Sequence, residues 1–230
     1  MTATTHPVQP IVYGRDASGR PAAIDPSGDS PHVLITGGTG RGLTTMVSVI
    51  AAQAARNGTR VSACQPRAEG DLALSATGIT AGLGLEETVR LITQAWDEMY
   101  DRFTAIERGA NPATFRHALL AVDDYQHLAG APAAVCDPAI TALAEIAALG
   151  RAARVTALIA THVLYGIPAD MLENLSTRII LGPVSRTTAL RLFGDTALPD
   201  VPAGPGNGIA VTGGGLPAAI SVLPDQGGRE

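Results

Sequence analysis

The chain contains no lysine: its sixteen basic residues are all arginine, from Arg15 to Arg229. Aromatic residues make up only 3% of it, so a core must be built from Ala, Val, Leu and Ile, which the 46% hydrophobic content supplies. Charged residues are scarce at 16%, which leaves surface for a partner to cover. The two cysteines, Cys64 and Cys136, are too few for a disulfide framework and fit reduced thiols in a cytoplasmic protein. No apolar run reaches the ~18 residues of a membrane span, and no signal-peptide pattern is present. The net charge is -5 and no basic run occurs, which argues against a chain that grips duplex DNA through a basic face of its own.

What is present is an alternation of periods. After a loose polar start (residues 1–10), Ile11–Gly14 and Pro21–Ile24 flank a glycine turn and predict a hairpin. Val33–Thr36 is a short β-branched run ending in glycines, the pattern of a buried parallel strand. Leu43–Arg56, closed by Asn57-Gly58, predicts a helix, and Arg60–Cys64 a strand. Residues 70–85, rich in Gly and Ala, match no element. Val89, Ile92, Trp96, Met99, Phe103 and Ile106 recur every three or four residues and predict a helix over Glu86–Arg108, with Trp96 and Phe103 packing into the core. Ala118–Val122 predicts a strand ending in Asp123-Asp124. Asp137-Pro138 reads as the N-cap and first residue of a helix that runs to Gly150. Val155–Ala160 and Arg178–Leu181 predict further strands. Pro202–Asn207 reads as a loop, and Gly208–Thr212 with Ala218–Leu223 as a hairpin around Gly213-Gly214-Gly215. Strands alternating with helices specify an α/β fold with a mostly parallel sheet flanked by helices and β-hairpins at both ends. The expected organisation is a single domain over residues 11–223 with flexible ends, 1–10 and 224–230.

The chemistry concentrates after the first parallel strand. Gly37, Gly38, Thr39, Gly40, Arg41, Gly42, Leu43, Thr44 and Thr45 form the frame of a phosphate-binding loop. Against G-x-x-x-x-G-K-[ST], Gly37, Gly42 and Thr44 match, and Leu43 stands in place of the lysine. Such a loop presents backbone N–H groups and a helix N-terminus to phosphate. Thr44 stands where a hydroxyl would hold Mg²⁺. The apolar strand ending in Asp123-Asp124 supplies the expected acids: Asp123 on the metal side, and Asp124 where such ATPases polarise the attacking water, often with the longer glutamate. Thr36-Gly37-Gly38-Thr39-Gly40 also resembles the start of a short-chain dehydrogenase fingerprint. That pattern wants a glycine at Leu43, and its chemistry wants a lysine that this chain lacks.

Several separated motifs resemble the FtsK/SpoIIIE-type DNA-pumping ATPases, especially shorter actinobacterial plasmid-transfer and mobile-element versions. These are Ile11-Val12-Tyr13-Gly14-Arg15 with Asp25, Gln65-Pro66-Arg67 where Asp-Pro-Lys is usual, and Glu98-Met99-Tyr100-Asp101-Arg102-Phe103. Further along come Gly150-Arg151-Ala152-Ala153, Ala160-Thr161-His162, Asn174–Ile179, Leu192-Phe193-Gly194-Asp195 and Pro205-Gly206-Asn207-Gly208. The resemblance runs from about Ile11 to Leu223. It implies a RecA-like P-loop NTPase domain, binding ATP and Mg²⁺ and working in a homo- or hetero-oligomeric ring on double-stranded DNA. It also implies a membrane-anchored or DNA-reading partner, since neither module is in this chain. Type VII secretion ATPases look similar and carry phosphate loops of unequal quality.

The departures from the family fall on catalysis: Leu43 for lysine, Asp124 for the longer acid, His162 for the strand-end glutamine, and Gln65-Pro66-Arg67 for Asp-Pro-Lys. Losing one charge-assisted hydrogen bond to phosphate costs roughly 1.5–3 kcal/mol in binding. The loss of transition-state stabilisation reaches ~10³-fold by analogy with other cationic clamps. The expectation is a nucleotide-binding domain linked to DNA translocation or transfer, with weak or absent hydrolysis. One alternative is an active translocase in which Arg41 replaces the lysine, with Asp124 and His162 at the reacting phosphate. Another is a structural ring subunit. Arg151 and Arg178 are the candidates for a contact to a neighbour's nucleotide.

Overall fold

The computed structural model describes residues 8–69, 72, 78–194, 197–213 and 215–223. The expected loose ends at residues 1–7 and 224–230, together with Asp195 and Gly214, lie outside the described residues. Ten strands form one sheet in the order β2-β1-β10-β9-β8-β3-β7-β6-β4-β5. The parallel part comprises β3 (Val33–Gly37), β4 (Arg60–Gln65), β5 (Ile79–Leu83), β6 (Ala118–Val122), β7 (Val155–Thr161) and β8 (Thr177–Leu181). On one side it is extended by the hairpin of β9 (Asn207–Thr212) and β10 (Ala218–Val222), then by that of β1 (Ile11–Asp16) and β2 (Pro21–Ile24). The mostly parallel sheet expected from the sequence is thus present, and both terminal hairpins join it as an antiparallel wing.

The pleat sorts the side chains of the central strand. Leu34 faces a core shared with Leu120, Ile159 and helices α2 (Leu85–Glu107) and α4 (Ala133–Leu149). Val33 and Ile35 face the opposite core, where α1 (Leu43–Arg56) contributes Met46, Val47 and Ile50. Because both faces are covered, β3, β6 and β7 are nearly continuous apolar runs rather than alternating ones. Trp96 and Phe103 pack at the margin of the first core, half-buried, and the Trp96 indole donates to Glu145 Oε2 at 2.6 Å.

Helix α1 begins at Leu43 and ends at Arg56, as its pattern predicts. The expectation for α4 is corrected. It starts at Ala133, behind Pro132, and Pro138 lies inside it. The carbonyl that Pro138 cannot serve belongs to Ala134, and both residues are exposed, so water can satisfy the orphan acceptor. Strand β5 lies within the stretch that the sequence leaves unassigned. The short helices α3 (Tyr125–Ala129), α5 (Ala169–Asn174) and α6 (Arg186–Phe193) show too little periodicity to be read beforehand. Of these, α6 carries a local start signal, since the Ser185 hydroxyl accepts from Thr188 N at 3.1 Å.

Candidate nucleotide site

The parallel strands all end on one edge, and the chemistry-bearing residues collect there. The loop after β3 turns through Gly37 to Gly42 into α1. Gly37 is forced by close approach: a Cβ there would sit 2.4 Å from the Leu181 carbonyl oxygen of the neighbouring strand. Gly42, the N-cap of α1, has φ +94, a left-handed conformation that side-chain-bearing residues rarely adopt. The loop thereby delivers the free N–H groups of a 14-residue helix to the sheet edge.

Thr44 and Asp123 meet as the sequence pairing implies. The Thr44 hydroxyl donates to Asp123 Oδ2 at 2.8 Å. Asp123 is 1% exposed, and burial, together with the Asp124 charge, raises its pKa while the Thr44 bond pulls it down. Its two side-chain partners, Thr44 and Gln65, are neutral. A buried acid of this kind, beside a hydroxyl, offers two oxygen ligands suited to a hard divalent cation. The residues present therefore fit the Mg²⁺ expected of the loop.

Asp124 sits at φ 54, a left-handed conformation that Asp tolerates better than most residues, and it turns the chain from β6 into α3. Its carboxylate is collared. Oδ2 accepts from Gln65 Nε2 at 2.9 Å and lies 3.4 Å from Arg67 Nε, while Oδ1 accepts from Gln126 Nε2 at 2.9 Å. Gln126 in turn accepts from Thr161 Oγ1 and from the His162 main-chain N–H. His162 bridges the two halves of the site: Nδ1 lies 2.9 Å from the Gly37 carbonyl oxygen, and Nε2 lies 3.9 Å from Asp124 Oδ1. Gln65 and Arg67 carry a signal in the sequence only as a departure from the family motif, and Gln126 carries none. The departure Gln65-Pro66-Arg67 was visible there, but that β4 ends beside Asp123 and Asp124 was not.

The remaining candidates separate. Leu43 is 4% exposed and packs among Ile35, Met46 and Val47, so the lysine position is filled by core. Arg41 lies along the loop on the β8 side. A Cβ on Gly182 would meet its Cδ at 3.0 Å, and one on Gly38 its Cγ at 3.7 Å. Gly38, Thr39, Gly40 and Thr45 are exposed at the mouth of the loop. Next to them a cavity of about 430 Å³ opens between Gly38, His162, Val184 and Arg191. Arg151 pairs with Asp29 at 2.5 Å on the surface. Arg178, a candidate for contact with a neighbouring subunit, is used inside the fold: its guanidinium donates to the carbonyls of Leu175, Leu192 and Leu172.

A glycine loop between strand and helix, with Thr44 paired to an acid two strands away across β7, defines the RecA-like P-loop NTPase fold. No family model matches the sequence, and no curated relative does. Solved structures do. The pCW3 conjugation coupling protein TcpA, in monomer form with ATPγS, has a TM-score of 0.79 at 17% identity, over 96% of this chain and 68% of that chain. EssC (ATPases 2 and 3) from Geobacillus thermodenitrificans has a TM-score of 0.72 at 15% identity, over 100% of this chain and 47% of that one. The cytoplasmic domain of the type VII secretion ATPase EccC from Thermomonospora curvata has a TM-score of 0.70 at 18% identity, over 96% and 29%. These are FtsK/HerA-type P-loop ATPases, and the likeness is one of fold. This chain spans less than a third of EccC and about half of EssC. Among the described residues, no helix is long and apolar enough to cross a membrane.

Proposed function

We propose that this chain is an FtsK/SpoIIIE-type nucleotide-binding module of a DNA-transfer or secretion-type assembly, with weak or absent ATP hydrolysis. One observation carries the reading: Leu43, 4% exposed, belongs to the core, while the glycine loop and the Thr44–Asp123 pair around it are intact. In this reading the loop N–H groups from Gly38 to Thr45 take the β-phosphate region of ATP. Thr44 and Asp123 hold Mg²⁺, which when bound neutralises charge on the phosphate oxygens. Asp124 and His162 lie on the terminal-phosphate side. The module acts in a ring of its own copies or of an active relative. The cargo in this reading is double-stranded DNA or a secreted protein, the two classes that its DNA-transfer and secretion-type versions imply.

A second reading, an active DNA translocase, is favoured by one feature: Arg41 lies alongside Gly38, within the loop itself. Calorimetry with ATP and Mg²⁺, alongside phosphate release with and without duplex DNA, separates the two on wild type, Leu43→Lys and Arg41→Ala. The proposed function expects wild type to bind nucleotide with negligible turnover, and Leu43→Lys to bind more tightly. A thermal melt of Leu43→Lys checks that the charged side chain is tolerated in the core. DNA-stimulated turnover in wild type, lost in Arg41→Ala, would overturn it in favour of the translocase. Absence of any nucleotide binding would leave a structural ring subunit.

A further inference from the structure

Two arginines approach the candidate site from opposite sides. Arg41 lies on the β8 side, its side chain along Gly182. Arg67 comes from the β4 side, where the acids are. Its base is anchored: the preceding Gln65 is 2% exposed, its carbonyl accepts from Gly84 N at 2.9 Å, and the buried Pro66 restricts the backbone between them. Its side chain is 48% exposed and ends at Asp124, with Nε 3.4 Å from Oδ2.

Asp124 does not depend on that contact. Gln65 Nε2 and Gln126 Nε2 each donate to one of its oxygens at 2.9 Å. The Arg67 contact is longer than either amide hydrogen bond and is made from a half-exposed side chain. No hydrogen bond from the terminal guanidinium nitrogens of Arg67 to protein is seen among the described residues. A planar guanidinium with open donors exchanges readily between a carboxylate and a phosphate, since its fork matches both. The link back to the loop is short: His162 lies within 3.9 Å of Asp124 and 2.9 Å of the Gly37 carbonyl.

We propose that Arg67 supplies the positive charge for the terminal phosphate of a bound nucleoside triphosphate, exchanging Asp124 for that phosphate when the site fills. The proposal rests on the nucleotide reading above and adds a selectivity to it. Arg67 stands at Asp124, on the terminal-phosphate side in that reading, so it is expected to act on triphosphate more than on diphosphate.

The test is calorimetry with ADP and with ATPγS, each with Mg²⁺, on wild type, Arg67→Ala and Arg67→Lys, with thermal melts to establish folding. Wild type is expected to prefer ATPγS. Arg67→Ala is expected to lose about tenfold in ATPγS affinity, the cost of one charge-assisted contact, with ADP affinity unchanged. Arg67→Lys keeps the charge without the fork and should recover part of the loss. If wild type binds both ligands but does not prefer ATPγS, or if Arg67→Ala changes both affinities equally or neither, Arg67 is only a structural partner of Asp124 and the proposal falls alone. If wild type binds neither ligand, it falls together with the nucleotide reading.

Discussion

The two ends of the parallel sheet handle buried charge in opposite ways. At the end where the strands begin, Arg102 is buried and multiply paired: it donates to the carbonyls of Ala153, Arg154 and Arg116 and pairs with Glu98, which also meets Arg60. Burial pulls its pKa down to about 10, so it stays charged at neutrality. At the end where the strands finish, the arrangement is incomplete. Asp123 has only neutral side-chain partners and Arg67 is half in solvent, while buried polar atoms without a partner occur at both ends: Gln65 Oε1 here, His32 Nε2 and His117 Nδ1 at the other. A polar network that is satisfied within the chain specifies a fold; one with unmet capacity at a strand-end edge is suited to receiving a ligand.

The largest effect should come from the paired Arg102 network. Arg102→Met leaves three carbonyls and Glu98 short of a donor, and should cost about 3–5 kcal/mol in denaturant unfolding. No added nucleotide or metal should restore the loss. The contrasting substitution is Gln65→Asp, which sets a third carboxylate beside Asp123 and Asp124. It should cost about 3 kcal/mol without metal, and Mg²⁺ should return part of that. A loss of stability indifferent to Mg²⁺ would erase the proposed difference between the ends.

Acid should act first through the beginning of the strands. His32 accepts from Ala157 N through Nδ1, and His117 meets Thr156 Oγ1 through Nε2. Burial, aided by nearby arginines, lowers their pKa values to about 4 and about 3. Both fall below the ordinary value of 6.5, so the unfolded chain takes up protons first. The stabilisation is complete above pH 6.5 and fades as pH falls toward the folded values. Between pH 7 and pH 5, each histidine should account for about 2 kcal/mol of lost stability, measured as a falling melting temperature. The smallest effect is expected from Thr44→Ala, about 1 kcal/mol for the lost bond to Asp123. Its diagnostic sign is different: Mg²⁺ should no longer enhance stabilisation by nucleotide.

Much of the candidate site could be read in the sequence because its parts are local. The glycine spacing, the helix from Leu43 to Arg56 and the apolar strand before Asp123-Asp124 each lie within one element. Local pattern also misled: Asp137-Pro138 has the chemistry of a helix start, yet Pro138 lies within α4. Packing of Leu143 and Ile146 onto the core, continued N-terminally by Ala139 and Cys136, outweighs the one hydrogen bond that the proline forgoes.

By itself the sequence determined that a phosphate loop exists here without a lysine, that two acids follow an apolar strand, and that strands alternate with helices. Only the tertiary structure decided what surrounds those acids. Gln65 reaches Asp124 across 59 residues because β4 pairs in parallel with β6, so both strands end at the same edge. It also placed Arg41 along Gly182 and Arg67 against Asp124. The physical reason is that strand order and register, which no local period encodes, choose which ends of distant segments become neighbours.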